Sequence, residues 1–109
     1  MKPMINNLEK LLDGPRDGAM LRFSLGNAWL EDDPEKAAAY FRDAVERDPD
    51  YSAAWKGLGR ALASAGFDED ALDAYNKGIA VAERKGDIQA AREMRVFVRR
   101  IEKARTSGG

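Results

Sequence analysis

Residues 55–62 read Trp-Lys-Gly-Leu-Gly-Arg-Ala-Leu, and a related stretch, Leu-Gly-Asn-Ala-Trp, occupies residues 25–29. Small and aromatic residues follow each stretch at matching distances: Ala37, Phe41, Ala44 and Pro49 after the first copy, and Ala71, Tyr75 and Gly78 after the second. A sequence that repeats itself every ~34 residues in this way is typical of stacked helical hairpins. Because one hairpin cannot bury its apolar face alone, the repeat predicts stacked units that share one concave surface.

The hydrophobic spacing along the chain predicts about six helices with short connections and no strand. The predicted segments are, in order, an amphipathic helix at 3–13, a hairpin at 19–49, a second hairpin at 52–85, a basic capping helix at 87–104 and a frayed tail at 105–109. Asp17, Asp33 and Asp68 precede helical segments and are candidate N-caps. We therefore expect a single all-α domain over residues 1–109, built as a right-handed α–α superhelix of antiparallel hairpins.

The composition excludes several kinds of site. The 109-residue chain has no Cys and no His, which removes disulfides, thiolate metal sites, cysteine nucleophiles and the usual general base near neutral pH. The sequence also lacks a Gly-rich phosphate loop, the spacing of a calcium loop and a base beside any Ser. We therefore predict a protein that is not an enzyme and that has neither a cofactor nor a metal site.

The charges are balanced overall but unevenly distributed. The net charge is −1, yet residues 1–83 hold 10 Lys and Arg against 16 Asp and Glu, whereas residues 84–109 hold 8 against 3. A net charge so close to zero creates no global field that attracts nucleic acid or a membrane. No apolar run approaches the ~18 residues of a membrane span, and the N-terminus has no signal-peptide pattern. The expected compartment is the cytoplasm.

The residues of the two copies resemble the tetratricopeptide repeat family, whose pattern is Trp, Leu-Gly three residues later, an aromatic, and then Ala, aromatic, Ala and Pro. The second copy departs from it with Gly78 in place of Ala and near Glu83, where the family has Pro. The first copy has Arg22 in place of Trp, and its central turn is one residue short. The resemblance covers residues 19–85, and the whole chain looks like small, stand-alone bacterial proteins of this family.

The resemblance implies a groove that is lined by the first helix of each hairpin. Phe23, Asn27 and Leu30 share one helix face there, and Lys56 and Arg60 lie one turn apart on the next such helix. An apolar patch beside a positive pair suits a protein or peptide with an apolar anchor and an acidic group or C-terminal carboxylate. Two further candidates, Arg92 and Arg99, are placed by the resemblance at the far wall of the groove.

Some family members hold a C-terminal carboxylate with Lys and Asn, then Asn, then Lys and Arg on successive helices. Only Asn27 matches that set, because the other positions hold Phe23, Gly57, Gln89 and Glu93. We therefore do not transfer this carboxylate clamp to the chain.

The last predicted helix carries a basic stripe formed by Arg92, Arg95, Arg99 and Lys103. Three interpretations stay open for it: the solvated face of a cap, a docking surface for an acidic protein, or a phosphate-binding surface. No aromatic residue interleaves the stripe for base stacking, which argues against a platform for single-stranded nucleic acid. The predicted function is non-catalytic protein or peptide binding, as an adaptor. The alternative is a self-associating scaffold, a homodimer that buries the groove or a terminal helix.

Overall fold

The computed structural model describes residues 3–108, and over that range the chain forms six α-helices and no strand. The helices are α1 (Pro3–Glu9), α2 (Ala19–Trp29), α3 (Pro34–Arg47), α4 (Ser52–Ser64), α5 (Asp68–Arg84) and α6 (Ile88–Gly108). Each helix packs against the next one along the chain, and α4 also contacts α2 and α6. The helices α2, α4 and α6 therefore lie side by side in one layer, with α3 and α5 in a second layer. The all-α prediction is confirmed.

Two helix boundaries differ from the predicted ones by more than two residues. The first helix ends at Glu9 and not at residue 13, because the chain continues in tight turns in which Leu11 N–H donates to Leu8 O at 3.0 Å. Asp13 then takes a left-handed conformation with φ 64°. At the other end, α6 continues through residues 105–108, which were predicted to fray. Arg105 pairs there with Glu69 of α5, and this contact ties the last turns of α6 to the domain. Residues 1, 2 and 109 lie outside the described residues.

The predicted helix caps are only partly correct. Asp33 caps α3, since its Oδ1 accepts a hydrogen bond from Lys36 N–H at 3.1 Å. Gly18 is the N-cap of α2 and Phe67 that of α5, so the predictions for Asp17 and Asp68 are wrong. Asp68 is the first residue of α5. At this position the positive end of the helix dipole stabilises its carboxylate.

Aromatic rings of the second layer pack directly against glycines of the first layer, which lets the two layers approach closely. The fully buried Phe41 of α3 lies between α2 and α4, where a Cβ built on Gly26 would be 2.7 Å from the ring and one on Gly57 would be 2.4 Å away. Tyr75 of α5 lies against Gly59 of α4 in the same way, at 2.7 Å. Each ring fills the space that a side chain would take, so Phe41 fixes the distance between α2 and α4.

The residue that replaces the family's Trp holds the loop before α2. Arg22 has only 12% of its side chain exposed, and it binds both carboxylate oxygens of Asp17, with Nε at 3.0 Å and Nη2 at 2.6 Å. Its Nη1 reaches Asp43 of α3 at 3.0 Å. Bidentate pairs of this kind are among the stronger hydrogen bonds in proteins. Arg22 thus joins the α1–α2 loop, α2 and α3 by charge and not by apolar packing.

This network makes stability depend on pH in the acid range. The hydrogen bonds from Arg22, and then that from Asp13 N–H, hold the pKa of Asp17 well below its usual range. A carboxyl whose pKa is lower in the folded than in the unfolded state stabilises the fold above the unfolded value of about 3.9, and that contribution is lost as the pH falls further. Asp17→Asn should therefore lower stability at pH 7 and weaken the dependence of stability on pH between about pH 4 and 2.

Urea unfolding followed by circular dichroism at several pH values measures this effect. Asp32→Asn removes an exposed carboxylate of the α2–α3 turn and serves as the control. A pH dependence in Asp17→Asn equal to that of the wild type would show that the Arg22 network does not stabilise the fold.

Candidate functional site

Two adjoining depressions run along the exposed side of α2 and α4. The first has a volume of about 150 Å³ and lies between the two helices; it is lined by Phe23, Asn27, Ala53, Lys56, Gly57 and Arg60. The second, of about 540 Å³, shares Asn27 and Arg60 and continues past Leu30 to the α2–α3 turn. We call the two together the concave groove. It brings together five of the seven predicted site residues: Phe23, Asn27, Leu30, Lys56 and Arg60.

Phe23 gives the groove a rigid apolar wall. Its ring meets Phe41 edge-on at 5.8 Å between centroids and lies 4.9 Å from the ring of Tyr51. The side chain is half-buried, so these contacts fix one side of the ring while the other stays accessible from the groove. An aromatic ring held in this way can contact an apolar group with little further loss of conformational entropy.

The positive pair predicted for α4 is only half available. Lys56 Nζ donates to Glu93 Oε2 of α6 at 3.0 Å, so its charge is already compensated. Arg60 is exposed, and among residues 3–108 no carboxylate lies within ion-pair distance of it. Burial raises the pKa of the nearby Tyr75 to about 12, while the positive charge of Arg60 acts in the opposite direction. The groove therefore presents one uncompensated cation.

Arg92 and Arg99 do not line either depression. Both are exposed on α6, and at about 100° per residue they lie about 160° and 140° around the helix from the fully buried Met94. Glu93 of α6 reaches α4, where it pairs with Lys56. The sequence analysis named Glu93 only as a mismatch to the carboxylate clamp and missed its pairing with Lys56.

A further depression, of about 360 Å³, lies on the opposite side of the domain between α3 and α5. Its floor is apolar and is formed mainly by Val45, Leu58, Leu62 and Ala74, and its walls carry the charged residues Arg42, Glu46, Asp70, Asp73 and Lys77. We call it the convex depression. The sequence analysis missed this depression, because apolar spacing alone does not distinguish residues at the bottom of a surface depression from residues of the closed hydrophobic core.

Two kinds of site are absent from the part of the chain that the structure describes. Residues 3–108 contain no cluster of three or more His, Cys, Asp or Glu side chains placed to hold a metal ion. Over the same residues, no helix has the length and apolar composition needed to cross a membrane.

Comparison with known proteins identifies the fold family. The sequence model of the tetratricopeptide repeat matches residues 28–94, which is more than half of the chain. The chain belongs to the tetratricopeptide repeat family. A tetratricopeptide repeat-containing protein of Pseudomonas aeruginosa is 47% identical over 104 residues, and the match covers 94% of this chain and 99% of that protein.

Solved structures agree with this assignment. The solution structure of a protein from Bordetella parapertussis is 36% identical and superposes with a TM-score of 0.80, covering 94% of this chain and 90% of that one. The crystal structure of a tetratricopeptide repeat domain from Salinibacter ruber is 30% identical with a TM-score of 0.72, covering 80% and 98%. The predicted family and the right-handed superhelix of hairpins are thus confirmed. Members of this family are generally non-catalytic modules for interactions between proteins.

Proposed function

We propose that this tetratricopeptide repeat protein is a non-catalytic adaptor that binds a protein or peptide segment in its concave groove. The observation that carries the proposal is the combination, within one depression between α2 and α4, of the fixed ring of Phe23 and the uncompensated charge of Arg60. The depression beside Phe23 measures about 150 Å³ and adjoins the depression of about 540 Å³ that continues past Leu30. Its open continuation past Leu30 favours an extended ligand.

The lining residues indicate the chemistry of the segment. Phe23 and Leu30 suit one or two apolar side chains, and Arg60 suits one carboxylate, from a side chain or from a C-terminus. Asn27 offers both a donor and an acceptor to a peptide backbone. A second carboxylate at Lys56 would have to displace Glu93. The contact area is small, so we expect transient binding of modest affinity.

The charges of the domain oppose the alternative of nucleic acid in this groove. Glu31 lines its outer end, Glu93 compensates Lys56, and residues 1–83 carry 16 acidic against 10 basic residues. A polyanion would meet net repulsion over most of this surface. The cytoplasm remains the predicted compartment.

A comparison of captured proteins tests the proposal. The double variant Phe23→Ala, Arg60→Glu removes the two features of the groove, and Phe67→Ala, Arg42→Glu makes the same chemical changes at exposed positions elsewhere. Immobilised wild type and both variants are incubated with lysate of the source organism, and captured proteins are identified by mass spectrometry. Circular dichroism confirms that each variant is folded, and Arg60→Glu alone serves if the loss of Phe23 destabilises the domain.

We expect a set of proteins that the wild type and the control variant retain and that the groove variant loses. Sedimentation of the purified protein at micromolar concentration then distinguishes a heterologous partner from a second copy of the chain. Identical captures by the groove variant and the wild type would contradict the groove as the binding site. A loss confined to the control variant would assign binding to the convex depression, which Arg42 lines.

A further inference from the structure

The cations of α6 fall into two groups with different surroundings. Arg95 pairs with Glu83 and Arg105 pairs with Glu69, so both of these arginines bind carboxylates of α5. Arg100 lies over the ring of Phe97, 5.7 Å from its centroid, so it too has a contact within the domain. Arg92, Arg99 and Lys103 are exposed, and within residues 3–108 no carboxylate lies at ion-pair distance from any of the three. Packing within the domain thus accounts for one group of cations and leaves the other without a structural role.

The three unpaired cations and Val96 form one narrow stripe. At about 100° per residue, all four lie within about 40° of the direction opposite the buried Met94. We call this stripe, residues 92, 96, 99 and 103, the outer face of α6. Its spacing of four, three and four residues is that of a helix surface that packs along a second helix. Val96, which is half-buried, stands between the cations as an apolar contact point.

The helix dipole explains only part of this charge. Cations are favoured in the last turn of a helix, where the backbone carbonyl groups are unsatisfied. Arg105 lies in the last turn of α6, but Arg92 is the fifth residue of the helix and Arg99 lies in its middle. Like charges at i and i+4, such as Arg99 and Lys103, moreover destabilise an isolated helix slightly. The outer face therefore carries a positive charge that the fold itself does not require.

We propose that the outer face of α6 docks an acidic helix of a partner protein, with carboxylates at the matching three- and four-residue spacing and an apolar side chain against Val96. Charge complementarity selects this occupant, because each cation would meet one carboxylate along a shared seam. The surface is separate from the concave groove, so the proposal does not depend on the groove function.

The same surroundings disfavour a nucleic acid on this face. Glu69 of α5 pairs with Arg105, and Glu93 and Glu102 lie on α6 itself, about 80° and 100° around the helix from the direction opposite Met94. A duplex is wider than one helix face and would bring phosphates close to these carboxylates. No aromatic side chain stands on the stripe to stack with bases. A helix that follows the stripe alone contacts only the positive surface.

A designed peptide provides the test. The probe is a fluorescent helical peptide with one Leu flanked by Glu residues at four- and three-residue spacing, and a scrambled peptide of the same composition is its control. Binding is measured by fluorescence anisotropy for three proteins: the wild type, the α6 double variant that combines Arg92→Glu with Arg99→Glu, and a control double variant that combines Arg16→Glu with Arg42→Glu. The last variant makes the same change of net charge at exposed positions outside α6. A DNA duplex of similar net charge is titrated in parallel.

We expect the patterned peptide to bind the wild type in a salt-dependent manner and to bind the α6 variant about tenfold or more weakly. The control variant should stay within about twofold of the wild type. Absence of binding up to about 1 mM peptide, equal binding of the scrambled peptide or tighter binding of the duplex would overturn the proposal. Loss of binding in Phe23→Ala, Arg60→Glu with none in the α6 variant would overturn it as well, since the acidic segment would then lie in the groove.

Discussion

Phe41→Ala is expected to lower the free energy of unfolding by about 3–5 kcal/mol. The ring is fully buried and lies between two glycines, Gly26 of α2 and Gly57 of α4. Because neither glycine has a side chain that could move into the vacated space, the cavity cannot collapse without displacing a helix. A domain of this size has a total stability of about 5–15 kcal/mol, so the variant should lose a large fraction of its stability.

Urea denaturation followed by circular dichroism measures the loss. Phe67→Ala is the matched control, since Phe67 is 47% exposed and precedes α5 without filling the core. We expect the control to lose about 1 kcal/mol or less. A similar loss in the two variants would contradict the role of Phe41 as the spacer between α2 and α4. Ligand binding should weaken in Phe41→Ala, because the ring sets the spacing of α2 and α4 that defines the groove.

Gly57→Ala is expected to destabilise the domain by about 1–3 kcal/mol, although alanine favours a helix over glycine by about 1 kcal/mol. The added methyl group would lie 2.4 to 2.8 Å from three atoms of the Phe41 ring, and that ring is fully buried. The ring therefore has no free space into which it can shift, and α4 has to move away from α3.

The same denaturation experiment measures this effect, with Gly18→Ala as the control. Gly18 has an extended backbone with φ −176°, and no atom lies within 4 Å of a Cβ built there. The control should cost less than about 1 kcal/mol. An unchanged or increased stability of Gly57→Ala would mean that α4 can be displaced at no cost. The contact between Gly57 and Phe41 would then not hold the groove rigid.

The architecture could be predicted from the sequence, because small residues recur at the repeat positions where two helices come into close contact. Gly26 and Gly59 recur at matching positions in the two copies, and each meets an aromatic ring of the second layer. Gly57 has no counterpart of this kind; the sequence analysis named it only as a mismatch to the carboxylate clamp, whereas in the structure it both lines the groove and meets the Phe41 ring. Spacing alone does not distinguish a glycine that opens a groove from one that receives a ring.

The electrostatics of the site could be predicted only in part. Phe23, Asn27 and Arg60 lie on one surface because they occupy corresponding faces of neighbouring helices. The pairing of Lys56 with Glu93 depends on the register of α6, which follows a 17-residue α5 where α3 has 14 residues. The network of Arg22 likewise joins residues that are far apart in the sequence, such as Asp43. Such pairs depend on the three-dimensional arrangement and leave no periodic signal.

The two proposed surfaces differ in the contacts they offer a partner. The concave groove combines an apolar wall with one cation, which suits an extended segment, whereas the outer face of α6 carries three cations along a helix, which suits an acidic helix. A partner could engage both surfaces at once, and two linked contacts would then bind more tightly than either alone. Variants of the two surfaces separate their contributions, because no residue is shared between them.

Chemical-shift mapping tests the central claim most directly. A peptide from a protein that the groove variant fails to capture is titrated into the 15N-labelled domain, and amide shifts are followed residue by residue. We predict that the largest changes cluster around Phe23, Asn27 and Arg60, with smaller ones at Glu93 as Lys56 exchanges its partner. Changes confined to the α3 and α5 residues of the convex depression, or to α6 alone, would contradict the assignment of the concave groove as the peptide-binding surface.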